Sequence, residues 1–214
     1  MDRLVQAIVL VEDLRAARAK MEGLGFTVEE GGRHPGRGTA NLIISFGVQY
    51  LELLAVIDAH AARSSPQGRP VLAALSRRGP GLARWTVEPD DIDATARRLD
   101  LVVERRERRR PDGTTVRWRA VGIDQAWKEP WRCAYMSWDD PALHPAHRHF
   151  AHPNGATGFA RLDVTVPDEQ AAVDWLGGAV PTTVNLRTAS GSGTAVGPAF
   201  LDVWTPAGDV RFDS

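Results

Sequence analysis

Two apolar runs, Leu42 to Phe46 and Tyr50 to Val56, are joined only by Gly47-Val48-Gln49. Glycine admits the positive φ of a tight reversal, so the pair predicts a β-hairpin. A glycine-rich loop is expected before it, from Gly31-Gly32 through Arg33-His34-Pro35-Gly36 to Gly38-Thr39-Ala40-Asn41. In the second run a period of two puts Tyr50, Glu52 and Leu54 on one face, and Leu51, Leu53 and Ala55 on the other. The wholly apolar face belongs against helices, which sends Glu52 to the opposite side of the sheet. A carboxylate inside an apolar strand is expensive to bury unless it is paired, hydrogen-bonded or bound to a cation.

The same pattern recurs along the chain. Leu4 to Val11 reads as a strand, Asp13 caps a helix carrying Leu14, Ala17, Met21 and Leu24, and Phe26 to Glu29 starts the next strand. A second strand–helix–strand order begins at Gly81 to Val87, with Asp90 or Asp91 capping a helix through Ile92, Ala96 and Leu99. Leu101 to Arg105, Thr114 to Val121 and Trp131 to Trp138 complete it, with Pro111-Asp112-Gly113 as a turn. A third, shorter copy starts at Arg161 with RLDVTVPD, a helix from Glu169 to Leu176, and strands near Thr183 to Arg187 and Phe200 to Thr205. The predicted class is α+β: repeated βαβββ modules whose mixed sheet curls around a cup-shaped cavity, with helices on one face only. The expected units are 1–140, holding modules 1–57 and 81–138, and a third module at 158–214 packed on them as one compact body.

Composition narrows the partners more than the fold. Of 214 residues 43% are hydrophobic and 25% charged, and the net charge of −1 favours neither nucleic acid nor a membrane surface. The single cysteine, Cys133, excludes an internal disulfide and a multi-cysteine zinc site. No apolar run is long enough for a membrane span and no signal core opens the chain, so a cytoplasmic protein is expected.

The repeated unit, LVEDLRAARAKMEGLGF after the first strand and YLELL at the end of the first module, resembles the vicinal oxygen chelate superfamily of glyoxalases, bleomycin resistance proteins and dioxygenases. HPGRGTAN followed by FGVQYLELLAV, and later HPNGA, resemble more closely the family of glyoxalase-like domain proteins. The resemblance implies paired modules forming a cup, and a divalent metal held by first-strand and last-strand residues of each module. Those positions here are Gln6 and Glu52, then Arg84 and Met136, with Arg161 and Asp202 in the third copy. A guanidinium cannot coordinate a cation and a thioether is a poor ligand for a hard one, so no metal or other cofactor is expected. A weak oxygen site of Gln6, Glu52 and Asp202 is the alternative if modules one and three face each other.

Glu52 is thus read either as an acid paired with Arg84, Arg119 or Arg161, or as a general base or ligand in the cup. His34 is read as a turn residue or as a catalytic histidine at the rim, helped by Arg33 and Asn41. Gln6, Arg84, Arg119, Trp118, Trp138, Arg161 and His152 complete the expected substrate-binding set, with the His34 and His152 turns flanking one opening. The histidines at 144, 147, 149 and 152 lack metal-site spacing. The run from Glu104 to Arg110 reads as the solvated end of a hairpin that also attracts an anionic substrate. Two functions stay open: a lyase-, isomerase- or dioxygenase-like enzyme for a small molecule, and a non-catalytic binder that sequesters one. A homodimer is compatible with either.

Overall fold

A computed structural model describes residues 2–109, 113–147, 151–191 and 193–214. Strand β1 (Arg3–Leu10) leads to helix α1 (Leu14–Gly23), opened by Asp13 accepting the Ala16 amide at 2.7 Å. Strands β2 (Glu29–His34), β3 (Thr39–Ser45) and β4 (Tyr50–Val56) complete the first repeat. Helices α2 (Ala59–Ser64) and α3 (Gly68–Arg78) follow before β5 (Gly81–Glu88). The second repeat continues through α4 (Ile92–Leu99), β6 (Glu104–Arg109), β7 (Thr115–Val121), α5 (Ile123–Lys128) and β8 (Ala134–Trp138). The third contains β9 (Gly158–Val166), α6 (Glu169–Trp175), β10 (Val184–Thr188), β11 (Gly197–Trp204) and β12 (Val210–Asp213).

The first two repeats form one curled eight-stranded sheet, ordered β2-β3-β4-β1-β5-β8-β7-β6. Its halves meet where β1 runs antiparallel to β5, and each half repeats the parallel pairing of first and last strand, β1 with β4 and β5 with β8. The alternation of β4 decides which face is which. Leu51 and Leu53 are completely buried with Ala17 and Met21 of α1, whereas Tyr50, Glu52 and Leu54 line the concave side.

The third repeat keeps the element order but builds its own sheet, β10-β9-β11-β12, in which β9 is flanked by β10 and β11. Leu162, Val164, Leu201 and Val203 share the convex-side core with Trp85 and Val87 of β5. The cup is therefore built by modules one and two, and module three backs its outer wall.

Two expectations need correction. The segment from Gly31 to Asn41 is not an open loop: β2 runs through Gly31 and Gly32 with a bulge, and pairs with β3 up to His34 opposite Thr39. Only Pro35 to Gly38 turn. Helices also occupy both faces, because Val71 and Ala74 of α3 and Ile123, Ala126 and Trp127 of α5 pack into the concave-side cluster with Ile8, Tyr50 and Met136. These short helices roof the cup instead of coating the outside.

Candidate active site: a carboxylate and an unpaired guanidinium in one cup

A chain of side-chain hydrogen bonds crosses four adjacent strands on the concave face. Asn41 of β3 donates through Nδ2 to Glu52 Oε1 at 2.7 Å, and Gln6 of β1 donates through Nε2 to Glu52 Oε2 at 2.5 Å. Thr86 of β5 donates in turn to Gln6 Oε1 at 2.7 Å. Each carboxylate oxygen receives one amide proton and keeps a lone pair for the cavity. This is how the strand tolerates a buried acid: charge-assisted hydrogen bonds replace its water. Gly31 makes the arrangement possible, since a Cβ there would stand 2.0 Å from Asn41 Oδ1.

Arg84 is the counterpart. Glu52 and Arg84 both pair in register with Ile8, from opposite sides of β1, so they stand two strands apart at the same level of the cup. Two strand spacings amount to about 10 Å between backbones. Arg84 is buried at 6% exposure, its guanidinium lies 5.1 Å from the centre of the Trp127 ring, and its Nε has no hydrogen-bond partner. Burial pulls its pKa down to about 10, opposed by the charge of Glu52, which leaves it a cation at neutral pH. Tyr50, two residues before Glu52 on β4, has its phenol held well above the usual range by burial and by Glu52. His34 Nδ1 lies 2.8 Å from Thr39 Oγ1, and its Nε2 has no described partner. Burial lowers the His34 pKa, Glu52 raises it, and Arg108 and Arg37 lower it further, with burial the strongest, so the ring is neutral at pH 7.

The cavity enclosed by these groups holds about 420 Å³. Trp118, Trp138, Val116 and Met136 form its apolar flank, α3 contributes Pro70 and Val71, and α5 contributes Trp127. Arg33 and Arg37 of the β2–β3 hairpin and Arg106 and Arg108 of β6 reach it as well. Of the expected set, Gln6, His34, Asn41, Glu52, Arg84, Trp118 and Trp138 are thus brought together. Thr86, Tyr50, Trp127 and Arg37 belong with them and were not singled out in the sequence.

Arg119, Arg161 and His152 lie elsewhere. Arg119 donates to Asp93 of α4 at 2.9 Å on the convex side, because its neighbour Trp118 takes the concave one. Arg161 forms an ion pair with buried Asp163, which also holds Arg187 at 2.6 Å, all within the second sheet. His152 accepts the Thr27 amide at Nδ1 (3.0 Å) and meets the Ser45 carbonyl with Nε2 (2.9 Å), so it ties its own loop to the one after α1 and to the end of β3, and is not among the residues lining the cup. His144 lies against Trp138 and stacks on His147, whereas His149 and Arg110 fall outside the described residues.

The donor set does not fit a metal. Glu52 has one amide on each oxygen, Gln6 Oε1 is occupied by Thr86, and the matching second-module positions hold Arg84 and Met136. Asp202 is tied to Arg211 by two 2.8 Å bonds in the other sheet, so it cannot complete an oxygen site. Among the described residues no three His, Cys, Asp or Glu side chains are grouped to hold an ion.

The family model for the glyoxalase-like domain matches residues 7–180. The chain belongs to the glyoxalase-like domain family. Among solved structures, a hypothetical protein from Staphylococcus aureus superposes with a TM-score of 0.64 at 15% identity, over 99% of this chain and 84% of that one. That likeness is one of fold. Methylmalonyl-CoA epimerase from Mycobacterium tuberculosis aligns with a TM-score of 0.45 at 19% identity, over 66% of this chain and 90% of that one. The epimerase from Streptomyces coelicolor, in complex with 2-nitronate-propionyl-CoA, gives 0.44 at 20%, over 63% and 94%. These two partial alignments bear on neither the chemistry nor the ligand of this glyoxalase-like chain. No curated protein matches it.

Proposed function

We propose that this glyoxalase-like protein binds a small carbonyl compound in the cup and catalyses proton transfer at the carbon next to the carbonyl. The reading rests on one observation: an amide-anchored carboxylate and a buried guanidinium with an unpaired Nε share one wall of one cavity. Glu52 takes the proton from carbon, the electron pair moves onto the carbonyl oxygen, and Arg84 holds the enolate oxygen that forms. His34, its pKa lowered by burial and its Nε2 without a partner among the described residues, is the second group able to carry a proton to or from substrate. Arg84 and Met136 in the second module leave no role for a metal in this scheme. A cytoplasmic setting belongs to the same reading, supported by one buried thiol and by the finding that no described helix is long and apolar enough to cross a membrane.

The test is proton–deuterium exchange in D₂O, followed by ¹H NMR on a panel of 2-oxo acids, thioesters and β-keto compounds. At least one should lose its α-proton signal with wild type. Glu52→Gln should slow that exchange by roughly 10²–10⁴-fold, the usual contribution of a positioned base. The second reading, a non-catalytic binder, is favoured by the loss of metal-ligand residues at Arg84 and Met136. It gains if compounds raise Tm equally in wild type and Glu52→Gln without any exchange.

A further inference from the structure

The cavity is electrostatically unlike the protein that contains it. The whole chain carries a net charge of −1, yet six arginines line the cup against three acids, Glu52, Glu107 and Asp124. The excess is concentrated at the rim, where the two edges of the curled sheet come together. Strand β6 is one edge, and its alternate residues Glu104, Arg106 and Arg108 are half-buried while Arg105, Glu107 and Arg109 are exposed. The β2–β3 hairpin is the other edge, and its turn supplies half-buried Arg37. Arg106 has one acid, Glu104, at 2.5 Å, but Arg37 and Arg108 have no ion-pair partner among the described residues. Burial lowers the pKa of Arg37 most, Arg106 and Arg108 lower it further as facing cations, and Glu52 opposes them. Half-burying guanidinium groups against one another opposes folding, so the arrangement points to a ligand that brings the missing negative charge.

The register says what else that ligand carries. Arg106 pairs with Trp118, and Trp118 with Trp138, so guanidinium, indole and indole form one rung across β6, β7 and β8. Arg108 pairs with Val116 on the next rung. A charged rim thus passes directly into an apolar, aromatic flank, with Trp127 and Arg84 deeper in the cup.

We infer that the cup takes an amphipathic ligand whose doubly charged phosphoryl or phosphonyl head sits on Arg37, Arg106 and Arg108, with an apolar or aromatic body along Trp118 and Trp138. Three guanidinium groups suit a tetrahedral dianion, whose three outer oxygens can each accept from a different arginine. A single carboxylate offers half the charge and two oxygens. The inference rests on the cup being the ligand site, as in the proposed function, but it does not depend on the proton transfer.

Phenyl phosphate, phenylacetate and benzyl alcohol are suitable probes, titrated calorimetrically at low salt; none tests turnover. Phenyl phosphate should bind at least tenfold more tightly than phenylacetate, and benzyl alcohol more weakly than both. Arg108→Gln and Arg37→Gln, on different edges of the sheet and each checked for wild-type circular dichroism, should each weaken phenyl phosphate at least tenfold. Arg105→Gln, on the exposed face of the same strand, should change it less than twofold. Glu52→Gln should retain phenyl phosphate, so retained binding with α-proton exchange absent in wild type, or undiminished in Glu52→Gln, condemns only the proton-transfer proposal. Equal or tighter binding of phenylacetate overturns the inference, as does an unchanged affinity in both rim variants. Equal losses in Arg105→Gln and Arg108→Gln also overturn it, since only net charge would then matter.

Discussion

Replacing Glu52 by glutamine changes one atom type and tests whether the carboxylate is anchored or stored under strain. Two amide protons point at it, from Gln6 at 2.5 Å and Asn41 at 2.7 Å. A glutamine there can accept one of them through its carbonyl and must turn its own NH₂ against the other. One charge-assisted bond becomes neutral, a loss of about 1 kcal/mol, and the other becomes a donor–donor contact that leaves buried groups unsatisfied, at about 1–3 kcal/mol. The easier burial of a neutral side chain offsets part of this. The expected net is about 2–3 kcal/mol of destabilisation, or about 4–12 °C in Tm for a chain of this size. Asn41→Asp in the Glu52→Gln background restores one acid facing one amide, and should recover at least half of the loss. Urea unfolding followed by tryptophan fluorescence measures both variants. Glu52→Gln as stable as wild type, or more so, with no recovery in the double variant, would refute the idea that the amide pair anchors the acid.

Arg84→Met should behave in the opposite way: removing a buried cation with an unpaired Nε while keeping its length over Trp127 should raise Tm by a few degrees, about 1–2 kcal/mol, and abolish α-proton exchange. A loss of stability instead would make Arg84 a structural residue. His144 is held down to about pKa 4 by burial, then by His147 and Arg3, below its ordinary 6.5. The unfolded chain therefore binds the proton first, and stability present above pH 6.5 falls as pH drops towards 4, by on the order of 3 kcal/mol from this group. In denaturant titrations His144→Phe should flatten that part of the stability–pH curve, and an unchanged slope refutes the assignment. Cys133 is fully buried with its thiol pushed up to about 12, so a disulfide reagent should not label it at pH 8 until the chain is unfolded. Labelling in the native state at the rate of a free thiol would contradict that burial.

The parity of β4 was legible in sequence because its two faces differ in kind: Leu51 and Leu53 against Tyr50, Glu52 and Leu54. The family resemblance and the α+β class came from repeats long enough to show their period. The same parity rule separates Trp118 from Arg119, since adjacent residues of a strand face opposite ways, so Arg119 and Trp118 could not both line the cup. What stayed hidden has physical reasons. Strand β6 reads ERRERR, charged on both faces, so no hydrophobic alternation marks Arg106 and Arg108 as the inward pair. Helix α5 has six residues, too short for a helical period to declare itself, and α3 starts without a side-chain cap. Arg161 and His152 were misplaced because a repeat in sequence does not say which sheet a module joins: the third copy arranges its strands differently from the first two.

The hydrogen-bonded line from Asn41 through Glu52 and Gln6 to Thr86 also constrains the order in which this site can evolve. A histidine at position 6 would put an imidazole beside Glu52, as a metal centre needs, but it would remove the amide that both satisfies the acid and occupies Thr86. With the Arg84 cation still in the cup, that step loses stability and gains no ion. Exchanging Arg84 first relieves an unpaired charge and leaves the polar line intact. Variants selected to bind a metal in this cup should therefore pass through an apolar or imidazole residue at position 84 before position 6 changes, and those that keep Arg84 should keep Gln6, Asn41 and Gly31 together.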